Sequence, residues 1–309
     1  MEGLGLLAAL LSSALGGTAI VATRYLAGVL DPLTIGAVRF AGGFIVLLPL
    51  ALGERHRWPK REDWPGAGAL GLLFFGLFPV LFNAALIYTT AARGALALST
   101  LPLLTMFAGA ILRIEPLTVR RSIGVLIAMA GVAVALGTSL TTAPPDAWRG
   151  DLIMVAAAFC MALYNVWSRP FISRSGPIPF ATLGMGVGAA CLLAISAATG
   201  GLAKLTTLNA SQWIASGYLA IVCGALIFFL WAFALGRTSP TLVAVSVAVN
   251  PVTAAMLGMP LLGEPVSANL VVGLVAVLAG IGVASAPLDW RRLGKRRPAV
   301  TERETKRGP

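Results

Sequence analysis

The chain has 309 residues, of which 58% are apolar and 11% are charged, and its mean hydropathy is +0.88. A water-soluble domain carries about 25% charged residues, so this composition excludes a soluble protein and indicates an integral membrane protein. The net charge of +11 does not indicate a nucleic-acid partner, because eight of the 23 Lys and Arg residues follow Asp289, in a tail expected to contact anionic lipid.

Ten apolar segments of spanning length follow one another along the chain, each bounded by polar residues. They are predicted as helices at 3–23, 33–53, 66–88, 91–112, 119–138, 150–168, 178–199, 211–235, 239–262 and 267–286. No segment alternates polar and apolar residues as barrel strands do, and a backbone in lipid must satisfy its own hydrogen bonds. The predicted fold class is therefore an all-α polytopic membrane protein. The first segment lacks a basic amino-terminal region, so it is predicted to be a spanning helix and not a signal peptide.

The distribution of basic residues predicts how these helices are oriented. If both termini are cytoplasmic, eighteen Lys and Arg residues lie on the inner side and four lie on the outer side. The difference persists without the tail, since ten basic residues then remain inside. By the positive-inside rule, both termini are predicted to be cytoplasmic.

The stretch "LRIEPLT" at 112–118 has a counterpart, "LGEPVS", at 262–267. When 101–134 is compared with 250–283 without gaps, nine of 34 residues are identical. The identical pairs are Pro102/Pro251, Gly109/Gly258, Leu112/Leu261, Glu115/Glu264, Pro116/Pro265, Gly124/Gly273, Ala130/Ala279, Gly131/Gly280 and Val134/Val283. An apolar bias does not explain the shared glycines, prolines and glutamate, so an internal duplication is inferred. Because each half has an odd number of helices, the two halves are predicted to be inverted five-helix repeats.

A polar loop containing Pro144-Pro145 separates the two halves. The predicted organisation is a first five-helix repeat at 1–138, a linker loop at 139–149, a second five-helix repeat at 150–286 and a basic cytoplasmic tail at 287–309, expected to be disordered. Glu115 and Glu264 each precede a proline and a new helix, where a carboxylate meets the positive end of the helix dipole. This helix-start role is favoured over a role as substrate ligands.

The repeated stretches also resemble a known family. "LGEPVSANLVVGLVAVLAGIGVA" at 262–284 is similar to the closing signature of the EamA-type repeat, and "RIEPLTVRRSIGVLIAMAGVAVA" is a weaker copy with Ile114 in place of a glycine. Two such repeats with ten helices make up the drug/metabolite transporter superfamily, and the resemblance covers about residues 3–286. In length and helix count the chain most resembles the YddG-type aromatic amino-acid exporters. The resemblance implies a multi-pass transporter of the bacterial inner membrane that is not an enzyme.

Polar residues at mid-depth beside two prolines are predicted to form a substrate site. Asn250 precedes Pro251 in the ninth helix, and Ser99 and Thr100 precede Pro102 in the fourth. Each proline frees a backbone carbonyl and is predicted to act as a hinge. Further candidate substrate-binding residues are Ser13, Asn83, Tyr164, Trp231 and Ser246. For the Ser and Thr residues, hydrogen bonding between helices is favoured over substrate binding, and for Asn250 both interpretations stay open.

Arg39 is the one charge inside a predicted span. It is expected to snorkel to the outer interface near Asp31, and attraction of a substrate carboxylate is the alternative. "GMGVG" at 184–188 predicts close helix packing. The aromatic side chains of the third helix are mostly expected to face lipid or the interface: Phe74, Phe75, Phe78 and Phe82.

The sequence offers little to support catalysis or metal binding. Cys160, Cys191 and Cys223 fall in apolar segments and His56 lies in a charged loop, so no metal site, disulfide or cofactor is expected. No acid lies in the middle of a span, so no proton relay across the membrane centre is expected.

The predicted function is export of amphipathic small metabolites, in particular aromatic or other apolar amino acids, by alternating access without proton coupling. The partners are then a small-molecule substrate and membrane lipid, and a monomer is compatible with the sequence. One alternative is another branch of the same superfamily with a different metabolite or drug as substrate. A membrane scaffold without transport activity is the other.

Overall fold

The computed structural model describes residues 2–114, 118–137 and 146–263, together with eight residues between 272 and 283. No strand occurs in these ranges, and eight of their helices are long and apolar enough to cross a membrane. The helices in chain order are α1 (Glu2–Leu26), α2 (Pro32–Gly53), α3 (Arg61–Tyr88), α4 (Ala91–Ile111), α5 (Val119–Gly137), α6 (Ala147–Arg174), α7 (Pro177–Ala198), α8 (Ala210–Leu235) and α9 (Pro240–Leu262).

Eight of the predicted spans coincide with α1 to α4 and α6 to α9. The largest difference is in α6, predicted at 150–168, which continues to Arg174 because the loss of one backbone hydrogen bond at Pro170 does not end the helix. The predicted tenth helix at 267–286 lies largely outside the described residues, so a total of ten spans stays a prediction. Glu115, Glu264, most of the linker loop and the basic tail also lie outside them.

The helices of the two halves interlock at the centre of the molecule. The helices α2 and α7 pack against each other, α2 also packs on the middle of α8, and α7 packs on the middle of α3. On the flanks, α1 packs on α8 and α9, while α6 packs on α3 and α4. Each of these contacts between the halves therefore has a counterpart in which the two halves are exchanged.

The middle turns of α3 and α8 are π-helical, at Leu72–Leu77 and Leu219–Leu226. A π turn widens the helix and interrupts its regular backbone hydrogen bonds. Glycines allow the neighbouring helix to approach these turns closely. A Cβ atom at Gly43 of α2 would lie 2.6 Å from the carbonyl carbon of Gly224, and one at Gly188 of α7 would lie 2.6 Å from that of Phe75. The prediction of close packing at "GMGVG" is confirmed.

The helices α4 and α9 are both interrupted in the middle. In α4 the helix ends at Leu98 and resumes at Leu101, whereas α9 passes through a 3-10 turn at Val247–Val249 and resumes at Asn250. Each new segment carries a proline in its first turn, where the missing N–H has no helical partner to lose. The first segment of α4 packs on the second segment of α9, and the first segment of α9 packs on the second segment of α4. The two helices are therefore antiparallel, and their breaks lie side by side.

The last described residues contact α5 through glycines. A Cβ atom at Gly280 would lie 2.6 Å from the carbonyl oxygen of Gly124 and 2.6 Å from the backbone nitrogen of Ala128. Gly124 and Gly131, with their sequence counterparts Gly273 and Gly280, are all buried. The repeated glycines thus lie where two helices approach closely.

Gly43→Ala is predicted to lower the free energy of unfolding by about 1–3 kcal/mol, because the new methyl group would overlap the backbone of Gly224. The measurement is thermal unfolding of the purified protein in detergent. The matched control is Gly53→Ala in the same helix, where a Cβ atom meets nothing within 4 Å. An equal effect of the two substitutions would contradict the close contact between α2 and α8.

An ion pair joins the start of α4 to the start of α6. Arg93 donates from Nε and Nη2 to both carboxylate oxygens of Asp151, over 2.6–3.1 Å, and its side chain is 8% exposed.

Arg93→Ala is predicted to destabilise the protein clearly, because it leaves a carboxylate without its bidentate partner. The matched control is Arg149→Ala, which breaks an exposed pair with Asp146 at 3.5 Å and should cost less than about 1 kcal/mol. Similar melting temperatures for both variants would contradict this difference.

Candidate functional site

Two serines form a buried contact between α1 and α9 near the middle of both helices. The hydroxyl oxygens of Ser13 and Ser246 are 2.8 Å apart. The Ser246 hydroxyl also lies within hydrogen-bond distance of the carbonyl oxygens of Ala9, at 3.1 Å, and Val243, at 2.7 Å. Since Val243 lies just before the break in α9, Ser246 bonds a carbonyl at the end of the interrupted segment.

Asn250 lies one turn further along α9, against two glycines of α1. Its side chain is buried, and a Cβ atom at Gly16 would lie 3.1 Å from its Oδ1 atom. Among the described residues, this Oδ1 atom has no hydrogen-bond donor. A buried acceptor without a donor costs free energy unless another molecule supplies one. Ser13, Ser246 and Asn250 are called the polar cluster below.

The other predicted polar residues are not part of this cluster. Ser99 donates to the carbonyl of Ala95 at 2.9 Å, and Thr100 to that of Ala97 at 2.8 Å, so both hydroxyls satisfy backbone groups at the break in α4. Asn83 donates to the carbonyl oxygen of Pro32 at 2.9 Å and so joins α3 to the first turn of α2. Its Oδ1 atom is buried and has no donor among the described residues.

Aromatic rings from four helices fill the centre between the halves. The Tyr164 ring stacks on Phe74 with centroids 3.9 Å apart and an interplanar angle of 20°. The Phe228 ring makes edge contacts with Phe40 and Phe75, both at 5.2 Å, and with Phe74 at 5.4 Å. These five rings are called the aromatic cluster, and all of them are buried.

The aromatic cluster corrects one expectation from the sequence. The expectation that the aromatic side chains of α3 mostly face lipid is wrong, because all four are at most 5% exposed: Phe74, Phe75, Phe78 and Phe82. The physical reason is that α3 is covered by α6 on one side and α7 on another. Apolar composition alone does not distinguish a ring in lipid from a ring between helices.

Trp231 lies beside the aromatic cluster. Its indole N–H donates to Oδ1 of Asn165, the neighbour of Tyr164 in α6, over 3.0 Å. The Nδ2 atom of Asn165 is buried and has no acceptor among the described residues. The predicted residues Tyr164 and Trp231 are thus brought together in this region, whereas Asn165 is a polar neighbour that the sequence analysis missed.

Arg39 lies inside the protein and not at the interface. Its side chain donates from Nε and Nη2 to the carbonyl oxygen of Cys223, at 3.3 and 3.1 Å, within the π turn of α8. The residue is 4% exposed, so the expectation that it snorkels to the interface near Asp31 is wrong. The physical reason is that the π turn presents a carbonyl group that a guanidinium can reach from α2.

Asp31 caps α2 instead of pairing with Arg39. Its carboxylate accepts the backbone N–H of Thr34 at 3.0 Å and the Thr34 hydroxyl at 2.7 Å. Burial raises the pKa of Asp31, but the hydrogen bonds from Thr34 and from its own backbone N–H, with the charge of Lys204, together lower it by more, so the pKa lies below its ordinary value of 3.8. The carboxylate is therefore ionised at neutral pH and available as a helix cap.

The described residues hold no group of three or more His, Cys, Asp or Glu side chains that could bind a metal ion. Cys160, Cys191 and Cys223 are free thiols. The midplane instead presents uncharged hydrogen-bonding groups, aromatic rings and one guanidinium. Paired broken helices around such groups are typical of secondary transporters.

Comparison with known proteins identifies the class more closely. Residues 3–137 and 148–286 both match the EamA-like transporter family, so the chain belongs to this family of membrane transporters.

Two relatives have names that mention amino acids. A probable terminal-alkyne amino-acid exporter of Streptantibioticus cattleyicolor is 26% identical over 273 residues, covering 88% of this chain and 86% of the relative. A probable amino-acid metabolite efflux pump of Salmonella typhimurium is 28% identical over 216 residues, covering 67% and 71%. A crystal structure with 23% identity matches the fold with a TM-score of 0.69, over 94% of this chain and 98% of that chain.

Proposed function

We propose that this transporter exports aromatic or other apolar amino acids across the bacterial inner membrane, by alternating access around a site at the membrane midplane. The observation that carries the proposal is the pair of buried features at mid-depth: the Asn250 Oδ1 atom at the break of α9, which has no donor among the described residues, and the aromatic cluster between the halves. The names of two relatives, a probable terminal-alkyne amino-acid exporter and a probable amino-acid metabolite efflux pump, support the substrate class. The closer resemblance to YddG-type exporters stays a prediction.

The proposed architecture is two inverted five-helix repeats with both termini in the cytoplasm. It is supported by matching contacts in the two halves. The packing of α2 on the π turn of α8 corresponds to the packing of α7 on the π turn of α3. The breaks in α4 and α9 form a second such pair, and α4 runs antiparallel to α9. Inverted repeats of this kind place a substrate site between the halves.

Alternating access would then consist of one half rocking against the other. The interrupted segments of α4 and α9 lack continuous helical hydrogen bonds, so Pro102 and Pro251 are proposed hinges at which the segments reorient. The aromatic cluster fills the centre in this structure, and its rings must separate when a substrate enters. The apolar part of the substrate would contact these rings, and the polar cluster, with Ser99, Thr100 and Asn83 as further candidates, would face the zwitterion.

We propose that transport is not coupled to protons, because no acidic residue lies in the middle of a span. The test uses the purified full chain in liposomes, with a panel of amino acids, nucleosides and lipophilic cations, each measured with and without a pH gradient. Uptake of aromatic and branched apolar amino acids is expected, at rates that a pH gradient changes little. Accumulation driven by the gradient would contradict the absence of coupling. Transport confined to nucleosides or cations would contradict the substrate class.

Asn250→Ala is predicted to lower amino-acid uptake by about three- to tenfold, because it removes a buried acceptor that a substrate ammonium group can use. Expression and the melting temperature should be maintained, since the amide makes no hydrogen bond with the described residues that would be lost. The matched control is Thr253→Ala, one turn further on, where the hydroxyl bonds the carbonyl of Asn250 at 3.2 Å within the same helix. Uptake at the unaltered rate in Asn250→Ala would remove this residue from the site.

A further inference from the structure

Arg39 is a buried cation that has no counterion in the part of the chain that the structure describes. It lies seven residues after the start of α2, which is about 10 Å along the helix axis, and it is 4% exposed. None of the ion pairs among the described residues includes it. A charged side chain at this depth in a membrane protein is costly and usually serves function.

The hydrogen bonds to Cys223 use only part of the guanidinium group. A guanidinium carries five N–H groups in a planar fork, and here Nε and Nη2 are directed at one carbonyl oxygen. The rings of Phe40 and Phe228 lie 5.2 and 5.4 Å from Cζ and offset part of the charge through cation–π contacts. No further acceptor in the described part of the chain binds the remaining N–H groups.

The other half of the molecule shows that this fold does not require an arginine at a π turn. The helix α7 packs on the π turn of α3 as α2 packs on that of α8. Pro32 and Gly43 of α2 correspond to Pro177 and Gly188 of α7, both 145 residues later. With this spacing, Gly184 occupies in α7 the position that Arg39 occupies in α2. Gly184 packs directly on the backbone of α3 at Gly71 without any cation. Satisfying a helix carbonyl therefore does not explain why α2 carries a full charge.

We propose that Arg39 binds the carboxylate of the transported molecule, while the apolar part of that molecule lies against the aromatic cluster. Arg39 adjoins this cluster directly, since the two rings that its guanidinium contacts, Phe40 and Phe228, belong to the aromatic cluster. Arg is the residue best suited to a carboxylate, because its fork donates two parallel hydrogen bonds. The inference rests on the proposed function and narrows it: the substrates are apolar molecules with a free carboxylate, and cationic analogues without one are excluded.

The first arm of the test uses the unmodified protein in liposomes. Uptake of labelled L-phenylalanine is measured while unlabelled L-phenylalanine, 3-phenylpropionate or L-phenylalaninamide competes. The two carboxylates are expected to inhibit uptake, and the amide, which keeps the ring and the ammonium group, is not. Equal inhibition by the amide would overturn the inference.

The second arm compares variants that separate charge from hydrogen bonding. Arg39→Gln keeps a donor for the Cys223 carbonyl and removes the charge, and it is expected to raise the KM for phenylalanine by about tenfold or more. The matched control is Arg24→Gln, because Arg24 also donates to a helix carbonyl, that of Leu86, but lies half-buried near the end of α1. Its KM should be unchanged.

Arg39→Lys is a second variant in case Arg39→Gln fails to fold. It keeps the positive charge but loses the planar guanidinium and its two parallel hydrogen bonds. Its KM is expected to lie between those of the unmodified protein and Arg39→Gln, with melting temperatures measured for all three. A KM for Arg39→Gln equal to that of the unmodified protein would overturn the inference. Transport of neutral or cationic solutes, but of no carboxylate, would overturn it while leaving transport itself established. If the unmodified protein transports no solute at all, the proposed function fails first, and the inference fails with it.

Discussion

The structure depends on how backbone groups are satisfied where membrane helices are interrupted. In hydrocarbon, an N–H or carbonyl group without a partner costs several kcal/mol, so a spanning helix is normally continuous. This chain interrupts its helices in two matched ways: π turns in the middle of α3 and α8, and breaks in the middle of α4 and α9. Each interruption requires hydrogen-bonding partners at a depth where water is scarce.

Polar side chains near the midplane supply several of these partners. Arg39 bonds the carbonyl of Cys223 in the π turn of α8, and Ser12 of α1 bonds that of Ile227 one turn later, at 2.9 Å. At the breaks, Ser99 and Ser246 bond carbonyls of their own helices. Arg39, Ser99 and Ser246, which are candidates for the substrate site, thus also satisfy carbonyl groups where the helices are interrupted. Movement of the halves and exposure of a binding site can therefore share one set of groups.

Much of this architecture follows from local patterns in the sequence. Apolar length located the helices to within a few residues for most spans, because the bilayer sets a length that the chain must match. Pro102 and Pro251 marked the helices that are interrupted, since proline suits the first turn of a new helical segment. The glycines of "GMGVG" indicated close packing, which is a direct consequence of a missing side chain.

The remaining features depend on contacts between distant segments, which no local pattern reports. The π turns of α3 and α8 have no proline at their centre, and each becomes evident only beside the helix that packs on it. Arg39 was assigned to the interface because its helix position permits snorkelling, but the carbonyl of Cys223 lies 184 residues away in sequence. The burial of Phe74 depends likewise on distant segments, because the positions of α6 and α7 decide which face of α3 is covered. A buried site between helices is therefore the part of such a protein that is least predictable from its sequence.

In the proposed mechanism, one midplane site, reached in turn from each side, exchanges amino acids across the membrane. Counterflow in liposomes tests it most directly: vesicles holding the full chain are loaded with unlabelled phenylalanine and diluted into labelled phenylalanine at equal pH on both sides. If access alternates, the label accumulates transiently above its external concentration, and only in preloaded vesicles. Label uptake that is the same with and without preloading would contradict an alternating site.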